Sequence, residues 1–179
     1  MNEKTVKPFG LKDKIGYMLG DFGNDFTFMF SSTFLMVFYM KVLGISAGAV
    51  GTLFLVARFV DAFTDVTMGR IVDTCKPGRD GKFKRWIRIM AGPVALASFL
   101  MYQSALVDAS MTVKMIYMYA TYILWGSICY TGINIPYGSM ASAITDAPEE
   151  RTALSTFRSI GATLAQLVIG VGGPMIIYV

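Results

Sequence analysis

Three stretches of the chain carry no charged side chain and are each long enough to cross a lipid bilayer. They cover residues 89–107, 115–145 and 159–179. A transmembrane helix needs about 20 predominantly apolar residues, because the hydrocarbon core is about 30 Å thick and each helical residue advances about 1.5 Å. The three stretches therefore predict transmembrane helices.

Two further segments have the length and apolar character of a span but are interrupted by polar residues. Residues 15–40 contain Asp21, Asn24 and Asp25, and residues 47–72 contain Arg58, Asp61 and Asp65. Together the segments predict an all-α, polytopic membrane protein of about five transmembrane helices. We expect a polar N-terminal segment of residues 1–14, followed by helices at about 15–40, 47–72, 89–107, 115–145 and 159–179.

The composition agrees with a membrane protein, since 54% of the residues are apolar and the formal net charge is only +4. The basic residues collect between the apolar spans instead of forming a basic face, so nucleic acid is not an expected partner. The chain has no histidine, and its two cysteines, Cys75 and Cys129, lie far apart. A zinc site and a disulfide framework are therefore not expected, and any proton coupling must rest on carboxylates.

Basic residues are concentrated in the N-terminal segment and in the loop between the second and third spans. They are Lys4, Lys7, Lys12 and Lys14, and then Lys76, Arg79, Lys82, Lys84, Arg85 and Arg88. Cytoplasmic loops carry an excess of Lys and Arg, so this pattern predicts a multi-pass protein of the cell membrane with a cytoplasmic N-terminus.

Later in the chain, Asp146 as N-cap, Pro148 and Glu149 predict a short cytoplasmic helix before the fifth span.

Arg58, Asp61 and Asp65 lie inside an otherwise apolar run, GTLFLVARFVDAFTDVTMG. In a helix these positions share one stripe, so the guanidinium and both carboxylates face the same way. Charge facing lipid is costly, whereas charge facing a polar cavity can pair internally and with a bound cation. An Arg–Asp pair that only joins two helices is the alternative, although such a pair needs a single carboxylate.

Two spans contain glycine-rich polar breaks. The first has GDFGND at residues 20–25, and the fourth has GINIPYG at residues 132–138. A proline in a membrane helix frees a carbonyl, which is tolerated where it faces protein or a water-filled cavity. Such breaks in helices one and four are expected at the binding site of a transporter built from repeats, although close helix packing explains the same pattern.

Four motifs occur in order along the chain: GDFGND at 20–25, RFVDAFTDVTMG at 58–69, GKFKRW at 81–86 and YTGINIPYGS at 130–139. Together they resemble the glycoside–pentoside–hexuronide:cation symporters, the melibiose permease-like branch of the major facilitator superfamily. The resemblance covers about residues 15–170. It implies a transporter, not an enzyme, that moves a sugar with a cation by alternating access around a mid-membrane site.

The resemblance also implies a cation site. In the family, two acids on the second helix and a threonine on the fourth surround the coupling Na⁺, Li⁺ or H⁺, and Asp61, Asp65 and Thr131 match these positions. Thr64 stands where the family often has asparagine, and its hydroxyl can still offer an oxygen. A Na⁺ ion would lie at Asp61 and Asp65, and no other cofactor is expected.

A sugar site and a set of bracing charges follow from the same resemblance. The positions that match sugar-binding residues are Asp25 with the adjacent Asn24, Tyr130, Asn134 and Gly138 with the adjacent Tyr137, and Arg158. Melibiose permease has aspartate at Asn134 and tryptophan at Gly138, so its sugar should not be assigned to this chain. The structural charges are Arg58, Asp73, Arg79 and Lys82, of which the last three match a loop that braces neighbouring helices.

The chain is too short for both halves of a sugar symporter, so other functions have to be considered. The family uses two six-helix halves, so five spans are expected to form most of one half. Such a chain would be inactive without the C-terminal half as a partner, and a remnant without transport activity stays open. A major facilitator carrier for a non-sugar solute is a further alternative. An intramembrane aspartyl enzyme is disfavoured, because Asp61 and Asp65 lie on one helix and the residues before Asp21 lack the first glycine of a GxGD motif.

Overall fold

The computed structural model describes residues 8–77 and 81–177, and every regular element within these ranges is helical. The elements are α1 (Leu11–Lys41), α2 (Ala47–Thr74), α3 (Lys82–Met101), a short 3₁₀ helix (Ser104–Leu106), α4 (Met111–Ile123), a first π-helical segment (Leu124–Tyr130), α5 (Thr131–Ile144), α6 (Pro148–Leu167), a second π-helical segment (Val168–Gly172) and α7 (Gly173–Ile177). The predicted all-α class is confirmed.

The helices extend beyond the predicted apolar spans, because the charged residues that flank these spans are helical as well. Helix α3 begins at Lys82 instead of residue 89, since the basic run ahead of the apolar stretch continues the helix. It ends at Met101, and a 3₁₀ turn follows before residue 107.

The short helix predicted before the fifth span is not a separate element. Helix α6 starts at Pro148 and continues through the second π-helical segment and α7 to Ile177. No glycine or proline interrupts the chain between Pro148 and Gly161, so nothing ends a helix there.

The predicted N-cap at Asp146 is also wrong. Ala147 occupies the N-cap position, and Asp146 instead pairs with Arg151 at 3.2 Å. The Thr145 hydroxyl accepts a hydrogen bond from the Ala147 N–H at 3.1 Å and donates one to the Glu150 carboxylate. Thr145 therefore satisfies a backbone N–H at the start of α6, the role that the sequence pattern predicted for Asp146.

Within the described residues, three helical segments are long and apolar enough to cross a membrane: Ala47–Thr74, Lys82–Leu106 and Pro148–Ile177. Helix α1 and the continuous run from α4 to α5 have similar lengths. They fall outside this group because residues such as Asn24 and Asp25 in α1, and many Tyr, Ser and Thr residues in the later run, lower the hydropathy. The protein is a helical membrane protein, and the count of five spans stays a prediction.

The chain divides into two compact units, one of Met1–Phe26 with Met140–Val179 and one of Thr27–Ser139. In the first unit, the beginning of α1 packs closely on α6 at Gly161. A Cβ at this glycine would collide with the Met18 carbonyl oxygen and lie 3.2 Å from the Phe22 nitrogen. A small residue therefore allows two helix backbones to approach, as is common in membranes.

The second unit holds the hydrophobic core. The buried side chains are supplied by the end of α1, by α2, α3 and α4 and by the first π-helical segment and α5; they include Leu35, Tyr39, Val50, Leu53, Val94, Ala97, Met101, Met118, Trp125 and Ile133. The turn between α1 and α2 is made by Gly44, whose φ of 69° favours glycine. Ser46 then caps α2 by accepting the Ala49 N–H.

Candidate functional site

Helix α2 presents the charged stripe that the sequence predicted. Arg58, Asp61 and Asp65 lie on successive turns of one uninterrupted helix within the second unit. The Arg58 guanidinium is 75% exposed and lies 3.9 Å from a carboxylate oxygen of Asp61. This distance allows electrostatic attraction but is longer than a hydrogen bond.

Each carboxylate of this stripe accepts a hydrogen bond from the first π-helical segment or from its junction with α5. The Ser127 hydroxyl donates to Asp61 Oδ1 at 2.6 Å, and the Thr131 hydroxyl donates to Asp65 Oδ1 at 2.9 Å. The two acids are four residues apart on their helix, and the two hydroxyl residues have the same spacing. Two hydrogen bonds with matching spacing therefore join α2 to the first π-helical segment and to the start of α5.

Ser127 was not among the predicted site residues. Its side chain is buried, with 1% of its surface exposed. A lone serine in an apolar helix carries little signal, because it packs easily between helices. The available signal was its position four residues before Thr131, which repeats the spacing from Asp61 to Asp65.

The backbone that carries Ser127 is π-helical from Leu124 to Tyr130. Such segments are rare and occur frequently at functional sites. Thr131 Oγ1 also lies 3.3 Å from the Gly126 carbonyl oxygen. Carbonyl, hydroxyl and carboxylate oxygens therefore occur together on this face.

Thr64 has a different environment from the other predicted cation ligands. Its hydroxyl lies 3.2 Å from the carbonyl oxygens of both Val60 and Asp61 on its own helix. The Thr64 hydroxyl therefore donates its proton within α2, and its oxygen can still accept a hydrogen bond or bind a cation.

The predicted sugar residues Asn24, Asp25 and Arg158 belong to the first unit. Arg158 Nε donates to Asp21 Oδ1 at 2.9 Å, and the Asp21 side chain is only 1% exposed. Asp21 was predicted neither as a sugar ligand nor as the partner of Arg158. The ion pair spans α1 and α6, and it gives Arg158 a structural contact in addition to its predicted role.

The remaining predicted sugar residues belong to the second unit. Tyr130 stacks against Phe28, with ring centroids 5.3 Å apart, and against Trp125 at 5.7 Å. Tyr137 is buried and Asn134 is half-buried. The aromatic ring of Tyr130 is thus held in a cluster of rings.

Two of the predicted structural charges, Asp73 and Lys82, contact each other. Lys82 Nζ donates to the Asp73 carbonyl oxygen at 2.8 Å and lies 3.9 Å from its carboxylate. This contact joins the end of α2 to the start of α3. Arg79 lies outside the described residues.

Comparison with known proteins gives the class of this chain. Residues 16–179 match the family of MFS/sugar transport proteins, and the chain belongs to this family. The resemblance to glycoside and cation symporters drawn from four motifs is thereby confirmed.

Three relatives show the extent of the similarity. The uncharacterized symporter YjmB of Bacillus subtilis (strain 168) is 40% identical over 169 residues, which cover 94% of this chain and 36% of the relative. A glucuronide carrier protein homolog of Escherichia coli (strain K12) is 41% identical over 150 residues, covering 84% and 32%. The isoprimeverose transporter of Lactiplantibacillus pentosus is 38% identical over 176 residues, covering 98% and 36%.

The chain therefore spans about a third of the length of the curated relatives that it matches. These relatives are named as a symporter, a carrier and a transporter, so the chain belongs with transport proteins and not with enzymes. The alternative of an intramembrane aspartyl enzyme is removed.

Proposed function

We propose that the chain forms part of a symporter that couples the uptake of a glycoside or related sugar to a cation, Na⁺, Li⁺ or H⁺. The observation that carries this proposal is the pair of links from Ser127 to Asp61 and from Thr131 to Asp65. Family membership and the names of the relatives support the same function.

The chemistry of the linked carboxylates suits a monovalent cation or a proton. Two carboxylates one helical turn apart repel each other while both are charged. Binding a cation between Asp61 and Asp65 relieves this repulsion, and the hydroxyl oxygens of Ser127 and Thr131 can complete its coordination.

The sugar would be held by hydrogen bonds and by contact with aromatic rings. Asp25, Asn24, Asn134 and Arg158 offer donors and acceptors, and Tyr130 and Tyr137 offer ring surface. Alternating access requires two bundles that rock around this site. We therefore propose that the active carrier includes a second bundle, consistent with relatives that are about three times as long. Residues 1–179 alone should catalyse no uptake.

The carrier would lie in the cell membrane with its N-terminus in the cytoplasm, as the basic residues between the second and third apolar stretches predict. A major facilitator carrier for a non-sugar solute is the second candidate. A direct comparison of glycosides with other solutes separates the two.

Uptake into proteoliposomes tests the proposal with the protein as its gene encodes it. A panel of glycosides is offered under an imposed Na⁺ gradient and, separately, under a pH gradient. We expect gradient-driven accumulation of at least one glycoside and its loss in Asp65→Asn. Asp108→Asn, at an exposed acid in a turn outside every predicted site, should keep it.

Accumulation that survives Asp65→Asn would contradict the cation site. Accumulation of only non-sugar solutes would favour the second candidate.

A further inference from the structure

Asp21 holds one edge of the Arg158 guanidinium group. Its Oδ1 oxygen accepts a hydrogen bond from Arg158 Nε at 2.9 Å. The Nε atom carries one N–H group, whereas the two terminal nitrogens of an arginine carry four, and this bond uses none of those four. The Asp21 side chain is 1% exposed and the Arg158 side chain is 37% exposed. The pair therefore has a buried acid at one end and a partly accessible arginine at the other.

The position of Asp21 is fixed by the close packing of α1 on α6. A Cβ added at Gly161 would lie 3.3 Å from the Asp21 Cβ and 3.2 Å from the Phe22 nitrogen. Arg158 precedes Gly161 by three residues, so both lie on the face of α6 that meets α1. Helices packed this closely leave little room for a short side chain to move. Asp21 is therefore a fixed acceptor, and the longer arginine side chain adopts the conformation that reaches it.

One carboxylate oxygen of Asp21 stays outside the ion pair. Oδ2 is buried and has no hydrogen-bond partner among the described residues, which is unfavourable for an acceptor. Arginine and carboxylate pair most strongly when both carboxylate oxygens accept from two N–H groups. A pair that only joined α1 to α6 would be more stable in that arrangement. The geometry therefore favours a set orientation of Arg158 over the strongest link between the helices.

The sugar residues predicted on α1 lie one turn after Asp21. Asn24 and Asp25 follow it by three and four residues, so all three side chains lie on one face of the helix. Asn24 is buried and Asp25 is half-buried. The hydrogen bond from Arg158 reaches the same face, and all four residues belong to the first unit. Asp21 therefore holds Arg158 beside the other predicted sugar ligands of this unit.

We propose that Asp21 is a positioning residue of the sugar site, which orients Arg158 so that the terminal N–H groups of the guanidinium donate to the sugar. This inference rests on the proposed function, in which Arg158 is one of the sugar ligands. The buried Asp21 does not touch the sugar and acts only through the arginine. An arginine that is already oriented loses less conformational freedom when the sugar binds, so Asp21 raises the affinity without adding a contact.

Uptake kinetics in proteoliposomes test the inference with the protein as its gene encodes it. The probes are the glycosides of the uptake panel, which include the 4-nitrophenyl derivatives of β-D-glucose, β-D-xylose and α-D-galactose. For each glycoside that accumulates, the half-saturation constant and the maximal rate are measured, together with the activation constant for the cation at saturating sugar. The half-saturation constant does not depend on the amount of active carrier, so a loss of folded protein cannot imitate a change in it.

Asp21→Ala should raise the half-saturation constant for the sugar about tenfold, the range of a hydrogen bond to a charged group. The maximal rate and the activation constant for the cation should change by less than about twofold, because the orientation of Arg158 affects sugar binding alone. Asp21→Asn keeps an oxygen where Oδ1 lies and should raise the half-saturation constant by no more than about threefold. If the alanine variant folds poorly, Asp21→Ser gives the same test, because its shorter side chain does not reach Arg158.

Gly161→Ala is the matched control, because it disturbs the same contact between α1 and α6 but keeps both side chains of the pair. It should lower the thermal stability and leave the half-saturation constant within about twofold of that of the unaltered protein. A rise as large as that in Asp21→Ala would assign the effect to helix packing and overturn the inference. Equal rises in Asp21→Asn and Asp21→Ala would assign it to charge alone and would also overturn the inference.

The remaining outcomes separate the inference from the proposed function. Accumulation of a glycoside with a half-saturation constant that Asp21→Ala leaves unchanged would overturn the inference while leaving the proposed function standing. A lower maximal rate at an unchanged half-saturation constant would show a structural role alone, with the same consequence. Accumulation of no glycoside of the panel by the unaltered protein would contradict the proposed function itself.

Discussion

Arg158 on α6 donates through Nε to the carboxylate of Asp21 on α1, and the acid of this pair is almost completely buried. A buried carboxylate needs its cation, because desolvation without a partner is costly. The pair therefore links α1 to α6 within the first unit, next to the close approach at Gly161.

Arg158→Ala should lower the thermal stability of the protein more than Asp21→Asn. Removing Arg158 leaves a buried charge without its partner, for which about 1–3 kcal/mol is expected, since the arginine itself is partly exposed. Unfolding in detergent, followed by the fluorescence of a thiol-reactive dye, measures the change. The double variant Asp21→Ala with Arg158→Ala should recover part of the loss.

The exposed pair of Asp146 and Arg151 provides the control for that experiment. Asp146→Asn should not change stability measurably, because exposed ion pairs contribute little. Equal effects of Arg158→Ala and Asp146→Asn would show that burial does not strengthen the role of the Asp21 pair.

Gly161→Ala should destabilise the packing of α1 on α6. The new methyl group would meet the backbone of Met18 and Phe22, which cannot move aside as a flexible side chain can. Overpacking of this kind costs about 1–3 kcal/mol. Gly170→Ala, where a Cβ meets no atom within 4 Å, is the matched control and should be tolerated. The same unfolding assay compares the two, and equal stability would contradict the close approach.

Ser127→Ala should weaken cation activation of transport by roughly threefold to tenfold, because Asp61 loses one hydrogen-bond donor and the site loses one oxygen. The activation constant for the cation is measured at saturating sugar. Ser127→Thr should restore most of the affinity, since it keeps the hydroxyl. Thr52→Ala serves as the control, because that hydroxyl bonds only a carbonyl of its own helix turn. An unchanged activation constant in Ser127→Ala would remove this serine from the site.

Cys75 should react with a membrane-impermeant thiol reagent only from the cytoplasmic side. It follows α2 at the basic loop and is partly accessible, whereas Cys129 is buried and should not react. Intact cells and inverted membrane vesicles are compared, with Cys75→Ser as the control. Labelling in intact cells would reverse the predicted orientation.

The sequence predicts the helical class and the charged stripe of α2 because both depend on local composition and on the periodicity of a helix. Charge inside an apolar run is costly enough to mark Asp61 and Asp65 without any structure. The same reasoning also marks Asp21, but it gives neither the partner of Asp21 nor the role of Ser127, because both depend on which helices become neighbours. Arg158 is identified from its resemblance to a family, but its partner on α1 is visible only once α6 is packed.

The helix ends also show which features the sequence predicts and which it does not. Uncharged stretches locate the apolar middle of each span, yet the charged ends of α3 and α6 continue as helix, because Lys, Arg and Glu are good helix formers. The π-helical geometry of Leu124–Tyr130 is not predictable from composition, since it requires hydrogen bonds that close one residue later than in an α-helix.

That π-helical geometry fixes the rotational phase of the helix on either side of it. Trp125 bonds Thr27 and Ser127 bonds Asp61, and both belong to the same wide turns. Deleting one residue between 124 and 130 would turn the preceding helix by about 100° relative to the following one. Each helix would stay intact. However, Trp125 could no longer bond Thr27 while Ser127 and Thr131 bond Asp61 and Asp65. This stretch should therefore accept changes of side chain far more readily than changes of length.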